Sequence, residues 1–209
     1  LGAYAYFTRE LPELEEVRTG AVETFETTKI YGGDRSNPVL LYEVIDPTGG
    51  DRTWVALDQV PEDLVCATVA IEDRNYWDNP GINIRGIGRA FWADIQGQQI
   101  QGGSSITQQL IKNTIYDPEE RIVSSEGPEW KDYERKITEV LLAYRISQKH
   151  SKSEILEWYL NTNFYGSLAH GIEAAARVYF GKNARDLTLA ESATLAAIPQ
   201  FPAMNPFDN

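Results

Sequence analysis

From Pro61 onward the chain is written in helical periods, and this change of rhythm constrains the fold more than any other feature. PEDLVCATVAIEDRNYW opens with a proline and two acids, which suits a helix N-terminus: the missing N–H costs nothing there, and negative charge is favoured. Apolar residues at three- and four-residue spacing predict further helices over 84–96, 104–115, 131–149, 152–160, 168–180 and 188–198. In 131–149 the expected inward stripe is Ile137, Val140, Leu141, Tyr144 and Ile146. GSLAHGIEAAARVYFGK is alanine-rich and lets helices approach closely, while three prolines in AAIPQFPAMNPFDN end helical structure. The first sixty residues read differently. TFETTKIY, PVLLYEVID and RTWVAL are β-branched and aromatic runs cut by GGDRSN and PTGGD, which predicts two or three short strands, a hairpin among the arrangements they allow. The expected architecture is mainly α, with a β-containing segment over 1–60 ahead of a helical domain over 61–209.

Composition narrows the function. At 209 residues and 42% hydrophobic content the chain can bury a real core. A formal net charge of −12 argues against a general nucleic-acid binder, whose affinity comes from neutralising phosphates. Basic residues nevertheless cluster at Lys112, at Arg135 and Lys136, and at Arg145 and Lys149; a solvated helix face and a local anion site are both open. The one cysteine, Cys66, excludes an internal disulfide and a cysteine-based zinc cluster, and its apolar surroundings predict a buried, inert thiol. Two histidines, His150 and His170, give little material for a serine–histidine triad. There is no run of about 20 apolar residues, so no segment reads as a bilayer span. The opening LGAYAYF is compatible with the outer end of a membrane helix, with a strand or with a frayed terminus.

Five segments could carry chemistry. In IEDRNYWDNPG, Glu72 and Asp73 emerge from an apolar helix, where partial desolvation raises a carboxylate toward a useful base; a solvated helix-end acid is the alternative. In GGSSITQQLIKN, glycines and hydroxyls at a helix start suit phosphate oxygens. Ser105, Gln108, Gln109 and Lys112 follow on one face, a better match to a sugar–pyrophosphate than to packing, with an ordinary capped helix as the alternative. In YERKITEVLLAYR, Arg135 and Glu139 lie one turn apart beside Lys136, either as a surface salt bridge or as a cation pair oriented by Glu139. In KSEILEWYLNTNFYG, Glu157 and Asn161 read as polar residues that tie a loop to a packed scaffold. In LTLAESATLAAIPQFP, Glu191 is expected as a buried hydrogen-bond acceptor near a helix start.

In this order, the five segments resemble the family 51 glycosyltransferases, the peptidoglycan glycosyltransferase module of class A penicillin-binding proteins. The family pattern EDxxFxxHxG appears as EDRNYWDNPG, GGSTxTQQLxKN as GGSSITQQLIKN and RKxxE as RKITE. KxxILExYLN runs intact from Lys152 to Asn161, and the LxLAExAxLAAxPQxP block follows. The resemblance covers about Pro61 to Pro206. Tyr76 replaces phenylalanine, Ser105 replaces threonine, and Asn79 takes the histidine position, which keeps a hydrogen-bonding group and removes a titratable one.

The resemblance implies a lysozyme-like, two-lobed fold with a membrane-proximal small lobe, and polymerisation of lipid II by inverting displacement of undecaprenyl pyrophosphate. Glu72 would be the base. Lys112, Arg135 and Lys136 would meet the pyrophosphate, and Ser105, Gln108, Gln109 and Asn113 would position substrate. Glu139 would orient the cations or sit near the leaving group. Asp73 would support Glu72 or the substrate, or help hold a divalent cation (Mg or Mn). Tyr76, Asn79, Gly81, Glu157, Asn161 and Glu191 would support the site. The implied partners are lipid II and the lipid-linked glycan strand, the membrane surface, the phosphoglycolipid inhibitor moenomycin and a C-terminal transpeptidase domain. The implied location is the extracytoplasmic face of the bacterial membrane, anchored by an N-terminal transmembrane helix absent from this chain. A lytic enzyme of similar fold would need an acid but not the cations, and a non-catalytic glycan-binding module would tolerate loss of Glu72.

Overall fold

The computed structural model describes residues 28–34, 36–44, 51–84, 86–89, 103–116, 130–200 and 205–206. The opening LGAYAYF, residue 85, the 90–96 part of the helix expected over 84–96, Gly102, and AMNPFDN apart from Asn205 and Pro206 lie outside the described residues.

GGDRSN turns a hairpin. β1 (Thr28–Asp34) and β2 (Asn37–Val44) pair antiparallel, with Ile30 opposite Tyr42 and Tyr31 opposite Leu40. Leu41 is the extra residue of a bulge between those pairs, and it stands 65% exposed. RTWVAL does not extend this sheet. Only Asp51–Arg52 (β3) is a strand, and it pairs in parallel with Ala169–His170 (β4). The reason is a side chain: Asn161 Oδ1 accepts from Val55 N at 2.9 Å and its Nδ2 donates to Val55 O at 2.8 Å, taking the place of a strand partner. Residues 54–60 accordingly pack with the helices, with Val55 and Val60 buried and Trp54 and Leu57 against the core.

The helical body begins at α1 (Glu62–Glu72), which buries Leu64, Thr68 and Val69 and packs on α6 (Leu189–Ala197). Cys66 points to the opposite side of α1 and is exposed, so the expectation of a buried thiol is corrected. Ile84 and residues 86–89 are helical. α2 (Ile106–Ile115) packs against both α3 (Trp130–Lys149) and α4 (Lys152–Thr162), and buries Ile106, Thr107, Gln108, Leu110 and Ile111. On α3 the buried stripe is Glu139, Leu142, Ala143 and Ile146, while Tyr144 is exposed. The stripe is thus rotated from the expected one, because the small Ala143 and Ser147 receive the loop at Gly81. A Cβ on Gly81 would stand 2.5 Å from Ala143 O and 2.1 Å from Ser147 Oγ, and its φ of +90° is itself one that glycine favours.

α5 (Ile172–Phe180) starts later than the expected 168, because His170 belongs to β4 and Gly171 turns the chain at φ 85°. Its Ala174, Ala175 and Ala176 are fully buried, as alanine at close helix approaches requires. Ser105, Ser151 and Thr188 each close a capping box at the start of α2, α4 and α6. Leu64, Ile106, Leu110, Leu142, Ile155 and Leu160 form the centre of the core, with Tyr76 and Tyr159 among its largest fully buried side chains.

Candidate active site

α1 ends at Glu72, and Asp73 is its C-cap, so two adjacent carboxylates leave an apolar helix against the start of α2. Gln109 Nε2 donates to Glu72 Oε2 at 2.7 Å, while Glu72 Oε1 is buried with no hydrogen-bond partner. Burial pushes the Glu72 carboxyl above the usual range; the Gln109 bond opposes the shift and the neighbouring Asp73 charge adds to it. Behind Gln109 stands the fully buried Tyr159, whose hydroxyl donates to Gln109 Oε1 at 3.3 Å and so turns the amide nitrogen toward Glu72.

Asp73 is 3% exposed. Its Oδ2 accepts from Asn79 Nδ2 at 2.8 Å and from Ile106 N at 3.3 Å, and its Oδ1 is buried without a partner. Burial raises its pKa, and the Asn79 and Ile106 bonds and the Lys152 charge pull the other way. Asn79 Oδ1 accepts from Gly81 N at 2.8 Å and from Lys152 Nζ at 2.9 Å. Tyr76, fully buried, donates its hydroxyl to Lys152 O at 2.6 Å. Asn79 at the histidine position therefore works as a bridge with both ends of its amide used.

The GGSSITQQLIKN face divides in two. Ser105 Oγ accepts from Gln108 N at 3.1 Å and donates to Gly81 O, while Gln108 Oε1 accepts from Ser105 N at 3.0 Å. Both residues are 0% exposed. Ser105 and Gln108 close the first turn of α2, where free backbone donors must be met, and Gln108 Nε2 is buried without a hydrogen-bond partner. Gln109 and Lys112, one turn apart, are the half-buried remainder of that face. Asn113 Nδ2 donates to Asn163 Oδ1 at 2.8 Å, so Asn113 is committed to the C-cap of α4.

On α3, Glu139 is 2% exposed and lies between two cations. Lys136 Nζ stands 2.8 Å from Glu139 Oε2, and Arg135 Nε 3.7 Å from Glu139 Oε1. Arg135 Nη2 also pairs with Asp132 Oδ1 at 3.2 Å. Lys136 Nζ donates to Ser104 Oγ at 2.7 Å, which ties α3 to the residue preceding the α2 cap. A buried Glu139 rules out the plain surface salt bridge. Glu72 reaches the middle of α2, Lys136 its approach, and Lys112 follows one turn beyond Gln109.

Three expected supports lie elsewhere in the fold. Glu157 accepts from Trp54 Nε1 at 3.1 Å and Leu57 N at 2.8 Å, and Asn161 holds Val55. Glu191 is half-exposed, not buried, because it sits at the rim where α6 begins: it accepts from Thr188 N at 2.7 Å and from Lys182 Nζ at 2.9 Å. Lys152, Tyr159 and Asp132 take part in the site's bonding in addition to the residues expected from the sequence. Lys152 carried a legible signal, since a cation in a helix's first turn opposes the dipole and needs a partner. Tyr159 carried none, because an aromatic at helical spacing reads as core.

Comparison with known proteins shows the family. The transglycosylase family model matches residues 39–209. The chain is 46% identical over 158 residues to penicillin-binding protein 1A of Aquifex aeolicus, covering 75% of this chain and 20% of that protein. It is 37% identical over 199 residues to penicillin-binding protein 1A of Mycobacterium tuberculosis (95% and 22%), and 43% identical over 156 residues to penicillin-binding protein 2D of Bacillus subtilis (74% and 21%). The chain thus spans about a fifth of the length of these relatives. With the matched region running from β2 through every helix that builds the Glu72 corner, this chain belongs to the transglycosylase family.

Proposed function

We propose that the chain is a peptidoglycan glycosyltransferase that polymerises lipid II into β-1,4-linked glycan strands. The observation that carries this reading is Glu72: one carboxylate oxygen is anchored by Gln109 and the other is buried and bare. A base for an attacking sugar hydroxyl needs such a fixed, partly desolvated oxygen with an elevated pKa. The acceptor's 4-hydroxyl loses its proton to Glu72 as its oxygen bonds to the donor's anomeric carbon. The bond from that carbon to the pyrophosphate oxygen breaks, and the electron pair leaves with the lipid pyrophosphate. One displacement from an α-linked donor gives a β product, hence inversion.

The departing anion needs positive charge, and Lys112, Arg135 and Lys136 are the groups assigned to it. Glu139 holds Arg135 and Lys136 in place, which limits their motion at the moment of reaction. Asp73 supports Glu72 from the next position; as a metal ligand it would offer one free oxygen, and among the described residues no three His, Cys, Asp or Glu stand together. With that oxygen and the phosphate oxygens of the substrate, Asp73 would help hold a magnesium or manganese ion, which would supply positive charge to the departing pyrophosphate; the displacement itself is written through the chain's own residues. Moenomycin would compete for the same cations. The reading also places the active face at the outer surface of the bacterial membrane, reached from an N-terminal anchor, with a transpeptidase domain in the full-length protein. No helix among the described residues is long and apolar enough to cross a membrane.

Labelled lipid II tests the reading. Incubation should give long glycan strands and free undecaprenyl pyrophosphate, both suppressed by moenomycin. Release of sugar fragments from purified sacculi with no lipid substrate would instead identify a lytic enzyme, whose leaving sugar must be protonated.

A further inference from the structure

Lys152 opens α4 in a position that helix electrostatics disfavours. Its side chain is half-buried, and burial pulls the ammonium below its ordinary pKa against the opposing Asp73 charge. Docking of α4 does not explain it. That docking is already provided by the Tyr76 hydroxyl on the Lys152 carbonyl and by the fully buried Ile155 and Leu156. The ammonium is an addition to that docking, and its contacts show where it acts. Nζ lies 4.6 Å from the Tyr76 ring centroid and donates to Asn79 Oδ1 at 2.9 Å. The same amide donates from Nδ2 to Asp73 Oδ2 at 2.8 Å, and Ile106 N reaches that oxygen at 3.3 Å. A cation, an aligned amide dipole and an anion therefore stand in line, each hydrogen bond having one charged member.

Resting on the glycosyltransferase reading above, we propose that Lys152 is a positioning residue of the transfer site. It acts through the Asn79 amide to hold the Asp73 carboxylate beside Glu72 and, through Ile106, to fix the first turn of α2. That turn leads directly to Gln109, the anchor of Glu72. Without the ammonium, Asn79 Oδ1 keeps only the neutral Gly81 N–H at 2.8 Å, so the amide loses the charged half of its hold and its grip on the Asp73 oxygen directed at Ile106 weakens. A carboxylate released next to Glu72 can then compete for Gln109. An asparagine, unlike a histidine, keeps one donor and one acceptor at every physiological pH, so the relay has a single arrangement.

Lys152→Met tests this, since it keeps the aliphatic stem over Tyr76 and the backbone carbonyl but removes the charge and the donors. The readouts are kcat and KM with labelled lipid II, and hydrogen exchange at the Ile106 amide. We expect kcat to fall about 10- to 100-fold with KM within about threefold, as for a misplaced reacting group. Ile106 exchange should quicken about tenfold. Lys152→Arg, which keeps the charge, should recover most of kcat. Asn79→Asp serves as the second variant if Lys152→Met does not fold: Lys152 keeps a partner, but a carboxylate now faces Asp73, and the same two losses are expected. Unchanged Ile106 exchange with kcat within threefold would overturn the inference. So would a lowered melting temperature with unchanged kcat per folded molecule, which would make Lys152 a latch only. If the unsubstituted chain makes no glycan, the polymerase reading falls, and Ile106 exchange in the two variants still decides the relay.

Discussion

Glu72 at the end of α1 and Glu157 in the middle of α4 are both half-buried glutamates, yet the protein treats them oppositely. Glu157 has both oxygens filled, one by the Trp54 indole and one by the Leu57 backbone N–H. Glu72 has one filled by Gln109, and the other is enclosed and left bare. A fully satisfied carboxylate is a fastener: its energy is realised in the folded state, and it has no capacity left for a ligand. A half-satisfied one leaves an unmet desolvation cost, which a proton from a substrate hydroxyl can relieve. The difference between structure and chemistry here is one hydrogen bond.

The sharpest way to break the comparison is to remove the basicity of Glu72 alone. Glu72→Gln keeps shape and a hydrogen-bonding head but cannot accept the proton, so glycan formation should fall about a hundredfold or more, with the melting temperature nearly unchanged. Near wild-type polymerisation would end the assignment of Glu72 as base. Glu157→Ala should do the reverse. Two donors lose their acceptor, at a cost of about 2–3 kcal/mol in urea unfolding, while kcat per folded molecule stays close to wild type. A selective loss of kcat in that variant would move Glu157 into the reaction.

Tyr159→Phe tests how finely Glu72 is aimed. Loss of the hydroxyl frees Gln109 to turn its carbonyl toward Glu72, and kcat should drop about three- to tenfold, the worth of one neutral hydrogen bond. An unchanged kcat would mean that the ionised Glu72 alone orients the amide.

The smallest effect concerns a third carboxylate. At Glu191 the Thr188 backbone N–H, the Lys182 ammonium and the Thr188 hydroxyl depress the pKa from 4.5 to about 2. A depressed folded-state pKa adds stability that is present above the unfolded value of 4.5 and lost as pH falls toward 2. Glu72, raised by burial, has the opposite sign: its ionisation opposes folding, and its stabilising contribution is lost as pH rises through the elevated value. Urea midpoints followed from neutral pH downward should therefore decline slightly less in Glu191→Gln than in wild type. An equal decline would remove Glu191 from the acid response.

Much of the fold was legible because its information is local. The hairpin followed from β-branched runs around GGDRSN, and five of α1 to α6, the helices given with both ends among the described residues, stand within a few residues of their expected limits. The sixth, α5, starts later than expected because Ala169–His170 pairs with β3, more than a hundred residues away, and His170 also bridges to Phe164. The site was legible as residue types and not as directions. Ser105, Gln108, Gln109 and Lys112 share a helical spacing, but periodicity cannot say which side of α2 meets α3 and α4 and which side stays open. Packing gave Ser105 and Gln108 to the interior. Cys66 and Tyr144 are exposed against expectation for the same reason, since an apolar neighbourhood in sequence is not one in space.

The sequence by itself determined the elements and their ends, because helix periodicity and capping boxes such as Ser151 with Glu154 are settled within four residues of chain. It also determined that carboxylates and cations were present in numbers that a transfer reaction could use. Only the tertiary structure decided which of them meet. Gln109 finds Glu72 across 37 residues, Lys152 finds Asn79 across 73, and Asn161 finds Val55 across 106. Such pairings depend on how the helices pack, and packing is fixed by the burial of all apolar faces at once. No local pattern encodes the one oxygen of Glu72 that is left without a partner.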